Sequence, residues 1–191
     1  LVDEIRQQGG EAHGFGSDAR QEEAMVSLIA HIEKDIAPIE VAVFKQYIDA
    51  LKDRLIYLSF YFQGEPYLHK GFLDMVEYAA HLGIYTATST NAHFLNEETA
   101  RKTVESGLDR LVISIDGTTQ ETYEQYRIGG QLEKVLEGTR LLLKWKKELK
   151  SATPHVVFQY LVVGPNEHQI SEAEKLMFVW PHHQILKNNE I

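Results

Sequence analysis

The chain of 191 residues contains no cysteine. This absence excludes disulfide bonds, thiolate zinc sites, a cysteine nucleophile and cysteine-bound iron–sulfur clusters, because each of them needs a sulfur that the chain does not have. Long apolar runs are absent as well, and residues 1–6 have neither the basic nor the apolar region of a signal peptide. The sequence therefore predicts a cytoplasmic protein without a membrane partner, and its start is typical of an internal cut.

Positive charge is scarce, since 19 Lys and Arg residues stand against 28 Asp and Glu residues and the net charge is -9. The excess is uneven, because residues 1–44 hold three basic and nine acidic side chains. A negative field of this kind repels phosphate backbones, so we expect no nucleic-acid partner. Histidine pairs spaced as HxH or HxxxH are also missing, which argues against a preformed metal site.

The sequence does contain apolar, β-branched runs that alternate with amphipathic helical stretches. This alternation predicts an α/β fold, with a mostly parallel sheet of about six strands and interleaved helices. Residues 177–191 do not continue this alternation, and we assign no helix or strand to them. The predicted strands cover residues 11–15, 39–44, 55–62, 84–88, 111–115 and 155–163.

Polar residues follow four successive predicted strands. Gly64-Glu65-Pro66 follows the first of these strands, and Ser89-Thr90-Asn91 follows the second. Ser114 and Asp116 lie at the end of the third, and Gln159 belongs to the fourth. Because ligands of parallel α/β folds bind at the carboxyl ends of strands, we expect a small-molecule cofactor at this edge. The Glu65 carboxylate suits an ammonium group, and the alternative is a tight turn with a solvated glutamate.

At these motifs, residues 45–176 resemble the middle of a radical S-adenosylmethionine enzyme, of the branch that includes anaerobic sulfatase-maturing and SPASM-type proteins. The resemblance implies a partial, incomplete (βα)6 barrel and S-adenosylmethionine as the cofactor. It places Gly64-Glu65-Pro66 at the motif that holds the methionyl amine of the cofactor. It places Asn91, Ser114 and Asp116 at positions that line the ribose and the amino-acid part.

The same resemblance places Arg127 where the family often has an arginine for the cofactor carboxylate, and planar bidentate pairing suits arginine to that role. A surface arginine in a short acidic helix is the equally weighted alternative. The family further implies a 4Fe-4S cluster, held by three thiolates of a CxxxCxxC loop, that delivers the electron for cofactor cleavage, and a peptide or protein substrate. Without cysteine the chain cannot support that cluster, so we expect reductive cleavage to be absent.

Residues 1–44 resemble part of a different family, the short-chain dehydrogenases/reductases, through Gly9-Gly10-Glu11-Ala12, Asp18-Ala19-Arg20 and the predicted strand Val41-Ala42-Val43-Phe44. This resemblance implies that Asp18 contacts the adenine of NAD(P). None of the nine tyrosines is followed by a lysine four residues later, so the family's Tyr-xxx-Lys is missing. We therefore do not expect hydride transfer or binding of NAD(P).

Three segments follow from these patterns: a dehydrogenase-like β-α-β fragment at 1–44, a partial radical-enzyme core at 45–176, and the tail at 177–191. The predicted function is that of a remnant of a peptide-modifying radical oxidoreductase, which retains weak binding of S-adenosylmethionine and has no intact catalysis. Two alternatives stay open at this point. One is a fragment of an NAD(P)-dependent short-chain dehydrogenase, and the other is an inactive chimeric chain.

Overall fold

The structure is a computed structural model, and it describes residues 39–61, 64–178 and 183–187. Helices and strands alternate along these residues, with two short 3-10 helices at Pro66–Leu68 and Glu167–Gln169. In chain order the elements are α1 (Val41–Leu51), β1 (Tyr57–Ser59), α2 (Phe72–His81), β2 (Tyr85–Thr90), α3 (Glu97–Glu105), β3 (Arg110–Ser114), α4 (Gln120–Tyr126), α5 (Leu132–Glu148), β4 (His155–Tyr160), α6 (Ile170–Phe178) and β5 (His183–Lys187).

The five strands form one parallel sheet in the order β1-β2-β3-β4-β5. In the register of the sheet, Ser59 lies opposite Ala87, Ala87 lies opposite Arg110, and Arg110 lies opposite His155. Because each strand lies beside the one that precedes it in the chain, with helical connections between them, the sheet winds in the sequential manner of a (βα) barrel. The predicted α/β class, parallel sheet and partial barrel are confirmed.

The main core lies between one face of this sheet and the helices that cover it. Leu111, Ile113 and Phe158 alternate along β3 and β4 and are fully buried on that face. Apolar residues of the covering helices, such as Val104 and Leu142, belong to the same buried cluster. The opposite face carries the alternate residues of each strand and is therefore the face that is free to hold a ligand.

Two helix boundaries show how the local sequence sets these elements. The side-chain oxygen of Asn96 accepts hydrogen bonds of 3.0 Å from the backbone N–H groups of Glu98 and Thr99, which satisfies two donors at the start of α3. Gly83, which follows α2, has a φ of 78°, a left-handed conformation that glycine adopts at little cost. The chain then enters β2 directly.

The strand predicted at residues 39–44 is wrong, because residues 41–44 form the first turn of α1. Ile39, Val41 and Val43 alternate in the manner of a strand, but Phe44 and Ile48 have helical spacing and are both buried. They pack into a second cluster with Met75 of α2. The boundary predicted between residues 44 and 45 falls inside this helix, and the rest of the dehydrogenase-like segment, residues 1–38, lies outside the described residues.

The segment 177–191, to which the sequence pattern assigns no element, contributes a strand to the sheet. Residues 183–187 form β5, which pairs in parallel with β4 from Val156 opposite His183 to Tyr160 opposite Lys187. The segment is short and has a polar start, so only its pairing with β4 identifies it as a strand. Among the residues that the structure describes, no helix combines the length and the apolar character needed to cross a membrane.

Candidate functional site

A cavity of about 340 Å³ lies at the carboxyl ends of β1 to β4. Five of the predicted site residues line it, and they come from four different loops or strand ends. Pro66 and Asp116 do not belong to its lining, and Asp18 lies outside the described residues. The lining comprises Tyr61, Gly64, Glu65, Ser89, Thr90, Asn91, Ser114, Tyr126, Arg127, Gln159 and Leu161.

The Glu65 carboxylate is fixed by three donors. Its Oε1 accepts a hydrogen bond of 2.8 Å from the Thr90 hydroxyl and one of 3.3 Å from the backbone N–H of Tyr67, and its Oε2 accepts one of 2.8 Å from the backbone N–H of Asn91. Pro66 begins the 3-10 helix that turns the chain away after this residue. A carboxylate has about four acceptor positions, so Glu65 keeps capacity for one further donor from a ligand.

Arg127 and Asp116 form an ion pair behind the cavity wall. The Nε and Nη2 atoms of Arg127 lie 2.6 Å and 2.5 Å from Oδ2 of Asp116, which is completely buried. The other carboxylate oxygen, Oδ1, accepts a hydrogen bond of 2.8 Å from the backbone N–H of Leu161. Asp116 therefore orients the arginine rather than facing the cavity, and Arg127 still has donors for a second acceptor.

Asn91 is held in place through its neighbour His93. The backbone N–H of Gln131 donates to Nε2 of His93 over 2.8 Å, so Nε2 is unprotonated and Nδ1 carries the proton. Nδ1 then donates to the backbone carbonyl of Asn91 over 2.9 Å. The Asn91 side chain in turn accepts from the backbone N–H of His93 over 3.0 Å. These contacts join the end of β2 to the start of α5 beside the cavity.

Two buried amides connect the loops that follow β3 and β4. The Asn166 side-chain NH₂ donates to the backbone carbonyls of Asp116 and Leu161 at 3.0 Å and 2.8 Å. The Gln169 side chain accepts from the backbone N–H of Thr118 over 2.8 Å. Because Asp116 lies between these contacts and Arg127, the network fixes the position of the guanidinium. The sequence pattern alone did not indicate these partners.

The lining also includes residues to which the sequence analysis gave no role in binding the cofactor. Ser89, Thr90 and Gln159 belong to the polar strand ends that the sequence indicates, and the structure places all three in the lining. Tyr61, Tyr126 and Leu161 carry no such signal. Tyr126 lines the cavity because it ends α4 next to Arg127, whose guanidinium lies 5.3 Å from the centre of the Tyr126 ring.

The comparison with protein families gives a match over most of the chain. The model of the radical SAM superfamily matches residues 22–177, which is most of the chain and contains the whole cavity. The matched region also includes residues 22–44, which the sequence assigns to the dehydrogenase-like segment. That assignment stays a prediction.

Curated relatives are similar over about half of the chain. A GTP 3',8-cyclase of Peptoclostridium acidaminophilum is 35% identical over 112 residues, which is 57% of this chain and 32% of the relative. An AdoMet-dependent heme synthase of Methanosarcina barkeri is 32% identical over 82 residues, which is 42% of this chain and 24% of the relative. The chain thus spans about a third or less of the length of these relatives.

Among solved structures, SuiB of Streptococcus suis bound to S-adenosylmethionine has the same fold. Its TM-score is 0.62 at 15% identity, and the match covers 80% of this chain and 35% of SuiB. A second structure of SuiB, bound to the precursor peptide SuiA, has a TM-score of 0.63 at 12% identity, with 97% of this chain and 51% of SuiB covered. At such identities the match shows the fold alone.

Proposed function

The chain belongs to the radical SAM superfamily, and we propose that it binds S-adenosylmethionine in the cavity at the carboxyl edge of the sheet without cleaving it reductively. One observation carries the proposal. Glu65 and Arg127 are the only charged residues among the described residues that line the cavity. One negative and one positive side chain complement the ammonium and the carboxylate of an amino acid, which is the zwitterionic part of this cofactor.

The surrounding residues fit the rest of such a ligand. Hydroxyl and amide groups of Ser89, Ser114 and Gln159 line the same cavity and offer hydrogen bonds to a ribose. Its volume of about 340 Å³ lies at the lower end of the range of about 300–1,000 Å³ for small-molecule sites. The fixed geometry of Glu65 and Arg127 lowers the entropic cost of binding, because neither side chain has to be ordered by the ligand.

The residues of the chain do not fit the iron–sulfur cluster that the family implies. Such a cluster needs cysteine thiolates as ligands, and the chain contains no cysteine at any of its 191 positions. Within the described residues there is also no group of three or more His, Asp and Glu side chains that could hold a metal ion. The proposal therefore ends at binding, and it includes no step that depends on the cluster.

Isothermal titration calorimetry of the chain with S-adenosylmethionine tests this proposal. We expect saturable binding to the wild-type chain and at least a tenfold weaker affinity in Glu65→Gln, which removes the charge that pairs with the ammonium. Glu137→Gln is the matched control for charge, because it removes the same negative charge from an exposed side chain of α5 that pairs with Arg140. Its affinity should equal that of the wild type.

A change in the ligand tests Arg127 without disturbing its ion pair with Asp116. Decarboxylated S-adenosylmethionine lacks the group that Arg127 is proposed to bind, so its affinity for the wild-type chain should fall at least tenfold. Equal affinities for both ligands, or the absence of saturable heat with S-adenosylmethionine, would overturn the proposal. A titration with NAD⁺ tests the alternative that the chain is a dehydrogenase fragment. That alternative predicts that NAD⁺ binds to the wild-type chain and that Asp18→Ala abolishes the binding.

We also infer a peptide or protein substrate for the parent enzyme, by which we mean the intact radical oxidoreductase of which this chain is a predicted remnant. The support for this class is that SuiB, which shares the fold, binds its precursor peptide SuiA. The curated relatives point to other molecules, because they are named for GTP and for heme. The substrate class thus belongs to the proposal for the parent enzyme, whereas the binding of S-adenosylmethionine is the proposal for this chain.

A further inference from the structure

A second, smaller cavity of about 210 Å³ lies beside the first one. Tyr61, Ser89 and Gln159 line both cavities, so the two share a wall. The second cavity extends from that wall along the ligand-facing side of the sheet toward the start of β3, where Arg110 and Val112 line it. A molecule in this space would therefore lie next to the proposed cofactor site.

Arg110 is the one charged residue among the described residues that line this second cavity. It is the first residue of β3 and points to the same side of the sheet as Val112, two positions later. Its Nε is buried and has no hydrogen-bond partner among the described residues. Its neighbours in the sheet register, Ala87 and His155, bring no negative charge to it.

A buried guanidinium nitrogen without an acceptor is costly, because it has lost its water and gained no hydrogen bond. Such groups are rare in folded proteins, and each one calls for a partner. Ser89 and Gln159 also line this space, and their hydroxyl and amide groups can donate hydrogen bonds to an anion. Arginine is also the side chain best suited to planar recognition of carboxylate and phosphate groups.

We propose that Arg110 binds the anionic group, a carboxylate or a phosphate, of a second small molecule that occupies this cavity beside the cofactor site. The proposal concerns a different ligand and a different residue from those of the proposed function. It rests on the proposed function only in treating the adjoining cavity as the cofactor site. The small volume indicates that the cavity holds one group of the molecule rather than all of it.

The Nε–Hε NMR signal of Arg110 in the full wild-type chain provides the test. The signal is assigned as the one that disappears in Arg110→Lys, and it is followed during titration with sodium phosphate and, separately, with sodium acetate at constant ionic strength. We expect a saturable shift with at least one of the two anions, and the anion that binds more tightly identifies the chemical source. The Nε–Hε signal of the exposed Arg140 serves as the control and should not saturate.

An unchanged Arg110 signal with both anions would overturn the proposal, and so would a shift that Arg140 follows equally. Arg110→Met adds a second readout, because removal of a desolvated N–H group without a hydrogen bond should leave the melting temperature equal to or above that of the wild type. A strongly lowered melting temperature would instead show a structural role. Titration of Arg110→Lys with S-adenosylmethionine keeps the two proposals apart, since unchanged cofactor affinity is expected there.

Discussion

At the scale of single residues, two buried tyrosines differ in whether their hydroxyl groups have a partner. The Tyr160 hydroxyl donates to the backbone carbonyl of Asn166 over 2.9 Å, whereas the Tyr123 hydroxyl is buried without a hydrogen-bond partner among the described residues. Burial raises the pKa of both phenols to about 12, so both are neutral at pH 7. The two side chains thus offer a matched comparison of a satisfied and an unsatisfied hydroxyl.

We predict opposite effects of removing these two hydroxyls. Tyr160→Phe should lower the free energy of unfolding by about 1 kcal/mol, because it loses a hydrogen bond while the Asn166 carbonyl keeps its bond from the backbone N–H of Gln169. Tyr123→Phe should leave stability unchanged or raise it by up to about 1 kcal/mol, since it removes a desolvated group that has no partner. Urea unfolding at pH 7 measures both values, and equal losses in the two variants would contradict this account.

The raised phenol pKa values also give a pH dependence. Both phenols ionise near their ordinary pKa of 10 in the unfolded chain and only near 12 in the folded one. The unfolded state therefore loses protons first, and stability should fall as pH rises from about 10 to about 12. We expect the Tyr123→Phe variant to show a shallower loss over that interval in urea unfolding. An identical slope in the wild type and the variant would contradict the assignment of a raised pKa to Tyr123.

At the scale of elements, the packing of α5 depends on the absence of a side chain at one position. A Cβ atom on Gly138 would lie 2.7 Å from the carbonyl oxygen of Ala92 and 2.8 Å from Cβ of Leu95. Both neighbours belong to the turn that follows Asn91, which lines the cavity. Helix propensity favours alanine over glycine by about 1 kcal/mol, but here the close approach of helix and turn decides the outcome.

Gly138→Ala should therefore destabilise the chain by about 1–3 kcal/mol despite the better helix propensity of alanine. It should also weaken binding of S-adenosylmethionine, because the displaced turn directly follows Asn91, whose backbone N–H donates to Glu65. Glu137→Ala, on the exposed side of the same helix turn, is the control and should change stability by no more than about 0.5 kcal/mol. A Gly138→Ala variant as stable as the wild type would refute the close packing of α5 on this turn.

Periodicity predicted some of these elements and missed others for definable reasons. β3 and β4 are rich in apolar and β-branched residues and β2 is rich in threonine, so the sequence predicts all three strands to within a few residues. The run at residues 39–44 is equally β-branched, but burial of Phe44 and Ile48 on one side of a helix overrides that tendency. The strand β5, His183–Lys187, has only two apolar residues and no alternation, so its sequence has no strong strand pattern.

The same distinction holds for the candidate site. Glu65, Asn91 and Ser114 were predictable, since the carboxyl edge of a parallel sheet is a general place for ligands. Several partners that orient the site were not, because their contacts join positions far apart in sequence, such as Thr90 with Glu65 and Gln131 with His93. Asp116 was expected to face the cofactor, yet the loop after β4 brings the backbone N–H of Leu161 to it and turns it into the partner of Arg127.

At the scale of the whole molecule, the chain has the fold of its family without the family's thiolate ligands. The parallel sheet places Glu65 and Arg127 on one cavity, and that arrangement does not depend on sulfur. Binding of the iron–sulfur cluster does depend on sulfur, and the 191 residues provide no cysteine for it. The two properties are therefore expected to separate, with the cofactor bound and left intact.

Anaerobic incubation of the chain with iron, sulfide, dithionite and S-adenosylmethionine tests this separation most directly, with chromatography of the cofactor and its products as the measurement. We predict that the cofactor is recovered intact and that no deoxyadenosine forms, although the same preparation binds the cofactor in calorimetry. Formation of deoxyadenosine in amounts that grow with the concentration of the chain would contradict the central claim.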